Sequence, residues 1–196
     1  MDTTVIIVSY KSDHLVEKNI EKFNKETKII VVDNSQDKDL KKNIESKFKN
    51  VRVVLNRNEG FGRAANLGAK LAITKYIFFC SPDNYTEENA INNLQNISQN
   101  LNDKFGILIL SDKDDFVLKK TRINNTRGIS CFFVKRKTFL NLSGFDENFF
   151  LYYEDADLVK RFLKNKYEIY KVPVKYSNFS GSHNKKYNYP IEINRN

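Results

Sequence analysis

Carboxylates, amides and hydroxyls gather in this sequence immediately after short apolar runs. Ser9-Tyr10-Lys11 follow VIIV, Asp33-Asn34-Ser35-Gln36-Asp37 follow IIVV, and Ser81-Pro82-Asp83-Asn84 follow YIFFC. Ligands of open parallel sheets bind outside the carboxyl ends of the strands, so these polar stretches are the first candidates for a site. The apolar run Val51–Leu55 leads instead into NRNEGFGRAANLG, residues 56–68. Glycines at a helix start let the backbone approach a ligand, and Arg57, Arg63 and free amides there suit a diphosphate. The same glycines also suit a simple turn at Gly60 and Gly62 and a close helix packing at Gly68. Asp83 reads either as a turn residue after proline or as an oxygen ligand for Mg²⁺ or Mn²⁺. His183, in Ser-Gly-Ser-His, is the candidate second ligand, or else a solvated residue of a polar tail.

The densest acidic stretch is GFDENFFLYYEDAD, residues 144–157. Glu154, Asp155 and Asp157 would suit the first turn of a helix, where negative charge complements the macrodipole. That leaves the aromatic run before them unexplained. Phe149, Phe150, Tyr152 and Tyr153 are expected to wall the carboxylates in low dielectric, raising one towards a useful base, and to supply stacking surface for a sugar ring. No glycine-rich turn follows the first apolar run, which disfavours a dinucleotide cofactor.

The elements that must hold these groups follow from apolar periodicity. Strands are expected at Val5–Val8, Lys28–Val32, Val51–Leu55, Tyr76–Cys80 and Phe105–Leu110. Helices are expected between them, carrying Leu15, Val16, Ile20 and Phe23 after a Ser12 cap, then Leu40, Ile44 and Phe48, then Phe61–Thr74. A further helix, capped by Thr86, would carry Ile91, Leu94, Ile97 and Leu101. This alternation predicts an α/β fold with a mostly parallel sheet flanked by helices. Beyond Ser111 the rhythm changes to a smaller mixed α+β portion: a strand over Ser130–Lys135, a helix with Leu158, Val159, Phe162 and Leu163, a late strand at Tyr167–Val172, and a loop-like tail from Ser177.

With 196 residues, 40% of them hydrophobic and 29% charged, the chain is expected to be one domain with a core that needs no disulfide or metal. Residues 1–110 would form a nucleotide-binding half and 111–196 an acceptor half. The net charge of +9 is uneven: seven Lys or Arg and no acid lie between Phe116 and Phe145, then the acidic stretch arrives, and basic residues return from Lys160. No nucleic-acid motif is present, and no nucleic acid is expected as partner. Basic residues after Lys160 would permit peripheral contact with an anionic membrane face. No apolar run approaches the roughly 20 residues of a bilayer span, and the N-terminus lacks signal-peptide character. Cys80 and Cys131, each inside an apolar run, read as buried free thiols of a cytoplasmic protein.

Taken together, VIIVSY, VVDNSQD, NEGFGRAANLG, SPDN and GFDENFFLYYEDADL resemble, in order, the motifs of glycosyltransferase family 2, the GT-A fold enzymes, and within it the rhamnosyltransferase-like branch. The resemblance runs from about Val5 to His183. It implies an inverting transferase with a nucleotide-diphospho-sugar donor, dTDP-rhamnose or a UDP-sugar among the candidates. The acceptor would be a saccharide or lipid-linked saccharide of surface-polysaccharide or glycolipid synthesis, at the inner face of the membrane. Ser9, Tyr10, Asp33 and Asn34 would contact base and ribose, and Gly60, Arg63, Asn66 and Asp83 would lie beside the rest of the donor. Asp155 would be the general base with Glu154 and Asp157 as supporting acids, and Asp83 and His183 would hold a divalent cation. The family's D-x-D position reads Ser81-Pro82-Asp83, with only the final acid present. That departure motivates an alternative: a degenerate member that binds a nucleotide or partner without turnover.

Overall fold

The computed structural model describes residues 2–111, 119–120, 129 and 131–178. Four strands, β1 (Thr3–Ser9), β2 (Lys28–Asp33), β3 (Val51–Leu55) and β4 (Tyr76–Cys80), run parallel in the order β3-β2-β1-β4. Helices α1 (Asp13–Ile20), α2 (Lys38–Lys47) and α3 (Phe61–Leu71) make the crossovers. The sheet continues past β4 through an antiparallel β8 (Cys131–Lys135), then β6 (Phe105–Ser111) and β9 (Glu168–Asn178). Two short strands, β5 (Asn84–Thr86) and β7 (Lys119–Lys120), pair with β9. Helix α4 (Ala90–Asn100) precedes β6, and α5 (Arg136–Asn141) and α6 (Glu154–Lys164) lie between β8 and β9.

Alternate residues of the central strands enter two cores, as the period of two along a strand requires. Val5, Ile7, Val31 and Phe78 pack on one face with Val16 and Ile20 of α1, Leu40 and Ile44 of α2, and Ile91 and Leu94 of α4. Ile6, Val32, Phe79 and Phe132 pack on the other with Ala64, Ala65 and Ala69 of α3, Phe139 of α5, and Leu158 and Phe162 of α6. The small residues of α3 bring its backbone close to the sheet. A Cβ on Gly68 would lie 2.6 Å from Ile6 Cγ2, so the helix seats there only with glycine.

Several boundaries differ from expectation. Thr86 does not cap a helix: it ends β5, where Tyr176 of β9 pairs with it, and α4 begins four residues later. A segment some ninety residues further along the chain supplied a strand partner, which outweighed the cap signal. The third helix stops at Leu71, short of Thr74, whose hydroxyl is engaged by Thr4 and by the Tyr76 carbonyl. Phe23 lies past the end of α1, yet consecutive turns bury it in the same core. The late strand runs on through Ser177 and Asn178, in the expected tail. His183 lies outside the described residues.

Candidate active site

The parallel register levels the strand ends. Ser9 lies opposite Asp33 and Asp33 opposite Leu55, while Ile7 lies opposite Cys80, so the polar residues following all four strands emerge at one edge of the sheet. Their backbones are tied across strands: Asn34 N–H donates to the Ser9 carbonyl and Asn56 N–H to the Asp33 carbonyl, each at 2.8 Å. Asp33, 1% exposed, accepts the backbone N–H groups of Ser35 at 3.2 Å and Asp37 at 2.8 Å, which curls the loop into the start of α2. Asp37 then caps that helix through the N–H groups of Asp39 and Leu40. Lys11 N–H donates to Ser35 Oγ at 2.5 Å and joins this loop to the one after β1. Between them opens a cavity of about 210 Å³ lined by Lys11, Ser12, Asp33, Ser35 and Asp37, with the exposed Tyr10 ring under the Lys11 ammonium nearby. Serine 35 carried no signal in the sequence beyond its place in the loop.

Asn34 faces the loop after β3. Its Oδ1 accepts from Asn56 Nδ2 at 2.8 Å, and its own amide donates towards Asn58 Oδ1 and the Gly60 carbonyl at 3.4 and 3.5 Å. Gly60 adopts φ 104°, ψ 165°, a conformation essentially reserved to glycine, and a Cβ there would meet the Phe150 carbonyl at 2.5 Å. The Phe61 N–H donates to that same carbonyl at 3.0 Å, so the α3 start is docked on the acidic stretch.

Asn66 completes the docking. Its amide spans the Gly144–Glu147 turn, accepting from Phe145 N–H at 2.8 Å and donating to the Phe145 carbonyl at 2.9 Å and Glu147 Oε1 at 3.0 Å. All three contacts are internal to the fold. Phe145 itself is 1% exposed and meets the rings of Phe61, Phe79, Phe132 and Phe139 edge-on. Burying a phenylalanine stabilises by roughly 1.5–3 kcal/mol, which anchors the start of the acidic stretch to the second core. Arg63, exposed, sits loosely between Glu59 at 3.4 Å and Glu147 at 3.9 Å.

The acids of α6 have three different environments. Asp157 pairs with Arg161 Nε at 2.7 Å, and Arg161 also donates to the Leu142 carbonyl, so this carboxylate serves the packing of α6 on α5. Glu154 is 8% exposed with Oε2 unpartnered among the described residues; burial, opposed by its own backbone N–H and reinforced by the Asp155 charge, pushes its carboxyl up to about 7. Asp155, partly exposed, is oriented by the N–H groups of Ala156 at 2.7 Å and Ile129 at 2.9 Å. The Ile129 bond is the key to its position. Ile129 stands two residues before Cys131, which lies opposite Cys80 at the carboxyl end of β4, three residues before Asp83. Asp155 is thereby tethered to the sheet edge that also carries Asp33 and Asp83.

Of the four aromatics expected as walls, Phe149 is half-buried and the other three are exposed. Phe150, Tyr152 and Tyr153 are exposed, and Tyr152 and Tyr153 are both left-handed at φ 70° and 69°. Glu154 itself is buried while these three aromatic side chains stay exposed. Cys80 and Cys131 are buried free thiols as expected, their sulfurs 3.6 Å apart, with burial pushing the Cys131 thiol well up.

Asp83, 4% exposed, is the carboxylate expected to face a cation. Among the described residues no group of three or more His, Cys, Asp or Glu could hold a metal ion. A single carboxylate fits a Mg²⁺ or Mn²⁺ that takes its other ligands from substrate phosphates and water. A larger concavity, about 1430 Å³, lies at the opposite pole, lined by Lys28, Val51 and Leu71 at the starts of β2 and β3 and the end of α3, away from all of these groups. No described helix is long and apolar enough to cross a membrane.

This architecture is that of the GT-A glycosyltransferases. S. aureus TarS 1–349 is 20% identical and matches 88% of this chain and 60% of its own with a TM-score of 0.67; it has also been crystallised with UDP and with UDP-GlcNAc. The mannosyltransferase PcManGT from Pyrobaculum calidifontis, in complex with GDP-Man and Mn²⁺, is 14% identical over 88% of this chain and 55% of that one, with a TM-score of 0.68. GalNAc-T7, with UDP, GalNAc and Mn²⁺, is 14% identical over 91% and 44%, with a TM-score of 0.71. The chain thus spans between 44% and 60% of these longer proteins. No curated protein sequence matches it. The family model for glycosyl transferase family 2 matches residues 4–158, and the chain belongs to that family.

Proposed function

We propose that this chain is an inverting glycosyltransferase that moves a sugar from a nucleotide-diphospho-sugar to an acceptor hydroxyl, with Asp155 as general base. The observation that carries the reading is the tether from Asp155 through Ile129 N–H to the strand-end edge shared with Asp33 and Asp83. Two backbone N–H groups fix the carboxylate of Asp155 and leave lone pairs on both oxygens for an incoming hydroxyl. As the acceptor oxygen bonds to the anomeric carbon, its proton passes to Asp155, and the bond from that carbon to the diphosphate breaks. Ser9, Tyr10, Asp33 and Asn34 would surround the nucleoside, and the exposed Arg63, held only by long contacts of 3.4 and 3.9 Å, would turn towards the diphosphate. A divalent cation held by Asp83, with His183 as second ligand, would supply electrostatic stabilisation of the leaving diphosphate. The neighbours' ligands support UDP- and GDP-sugars as donors to test first, with dTDP-rhamnose added for the rhamnosyltransferase-like motif. The acceptor class is a saccharide or lipid-linked saccharide, in surface-polysaccharide or glycolipid synthesis on the cytoplasmic side of the membrane.

The test is Asp155→Asn, assayed for sugar transfer and for nucleotide binding. A general base contributes about 10²–10⁴-fold, so transfer should fall by that factor with nucleotide affinity unchanged. Transfer near the wild-type rate in a folded Asp155→Asn protein would remove Asp155 as base. Tight nucleotide binding by the wild type without sugar release under any condition would favour the degenerate binder.

A further inference from the structure

Four of the six large hydrophobic side chains exposed among the described residues are consecutive: Phe150 at 44%, Leu151 at 36%, Tyr152 at 48% and Tyr153 at 56%. Burial therefore does not account for their identity. Backbone geometry does not either, because Tyr152 and Tyr153 are both left-handed, where glycine or asparagine is accommodated with less strain. Two tyrosines kept outside the core, on a backbone that suits neither, are not accounted for by packing among the described residues. The ridge is nonetheless fixed in place. The Phe150 carbonyl accepts from Phe61 N–H, Gly60 packs against it, and Tyr153 stands at the N-cap of α6, two residues before Asp155.

The charge around the ridge decides which partner suits it. Asp146 and Asp155 flank it within the same stretch, while Glu147 and Asp157 face Arg63 and Arg161 and Glu154 is buried; the two carboxylates disfavour anionic lipid headgroups and anionic sugars alike. A neutral pyranose has an apolar C–H face for an aromatic ring and hydroxyls for tyrosine O–H and carboxylates at its rim. We propose that Tyr152 and Tyr153, with Phe150, form the platform on which the ring of an uncharged saccharide acceptor stacks beside Asp155. The assignment rests on the transferase reading for the role of that ring, while binding of the ring is measured separately.

The probes are the methyl pyranosides of glucose, galactose, mannose and N-acetylglucosamine, with methyl glucuronide as the anionic counterpart. Binding is read by saturation-transfer difference NMR, with and without saturating UDP or GDP. Wild-type protein should give ring-proton signals with at least one neutral pyranoside and weaker ones with the glucuronide. The double variant Tyr152→Asn/Tyr153→Asn, whose new side chains tolerate the left-handed backbone, should melt no lower than wild type and bind the same pyranoside at least five-fold more weakly. Tyr152→Phe/Tyr153→Phe, which keeps the rings, should restore most of the binding and guards against misfolding of the first variant. No signal with any neutral pyranoside, or equal binding by the Asn variant, would overturn the platform. So would wild-type adhesion to phosphatidylcholine–phosphatidylglycerol vesicles that the Asn variant loses while pyranosides fail to bind. If the wild type bound none of UDP, GDP and dTDP, the transferase reading would fall while the pyranoside measurements still decided the platform.

Discussion

Glu154 shows how much a single environment can matter. Its carboxyl titrates from 4.5 in an unfolded chain to about 7 in the fold, because burial disfavours the charged form. Between those values the folded protein holds a proton that the unfolded chain has released. The contribution to stability is therefore full below about 4.5 and is lost as pH rises through about 7, an effect on the order of 3 kcal/mol. Glu154→Gln removes the titration, so its melting temperature should exceed that of wild type at pH 8 and match it near pH 5. A difference that does not vary with pH would contradict the burial account. Asp155, one residue on, is separated from Glu154 in role by orientation: the first lies under the helix and the second is held open by two backbone donors.

At the scale of elements, two short devices align the site. Asp37 caps α2 and so terminates the loop that Asp33 curls. Asp37→Ala should cost about 1 kcal/mol in urea unfolding, the usual worth of an N-cap, with a small loss of nucleotide affinity as the loop loosens. Gly60 joins the α3 start to the acidic stretch. Gly60→Ala both demands a backbone conformation that alanine avoids and drives a methyl against the Phe150 carbonyl, so a loss on the order of 2 kcal/mol is expected. Wild-type unfolding of Gly60→Ala would show that the loop relaxes freely and does not hold the acidic stretch.

For the molecule as a whole, the candidate site draws on loops after β1, β2, β3 and β4, on the entry to β8, and on α6. A ligand that binds across these loops stabilises only the native state. At a nucleotide concentration of 100 times Kd, stabilisation of about 2.7 kcal/mol is expected, read as a rise in melting temperature with UDP, GDP or dTDP. A further rise on adding Mn²⁺ would support a cation at Asp83, and its absence with all three nucleotides would count against it. The large basic-rimmed concavity at the other pole should not respond, and Lys28→Glu or Arg52→Glu there should leave the nucleotide shift unchanged.

Local pattern alone determined a good deal. Continuous apolar runs such as IIVV and YIFFC specify strands covered on both faces, their spacing by helix-length segments specifies the parallel sheet, and five ordered motifs specify the family. These features depend on neighbours in the chain, which a sequence displays directly. The edge strand at Asn84–Thr86 was hidden, since its partner Tyr176–Asn178 is some ninety residues away and only that pairing makes it a strand. The same holds within the site. That Asn66 clamps the Phe145 turn, that Asp157 belongs to Arg161, that Asp155 hangs from Ile129, and that the tyrosines face outward are all contacts between distant segments. Residue type proposes a chemistry for each of these groups; which of them is consumed by packing and which is left open to a substrate is decided by what the fold brings against it.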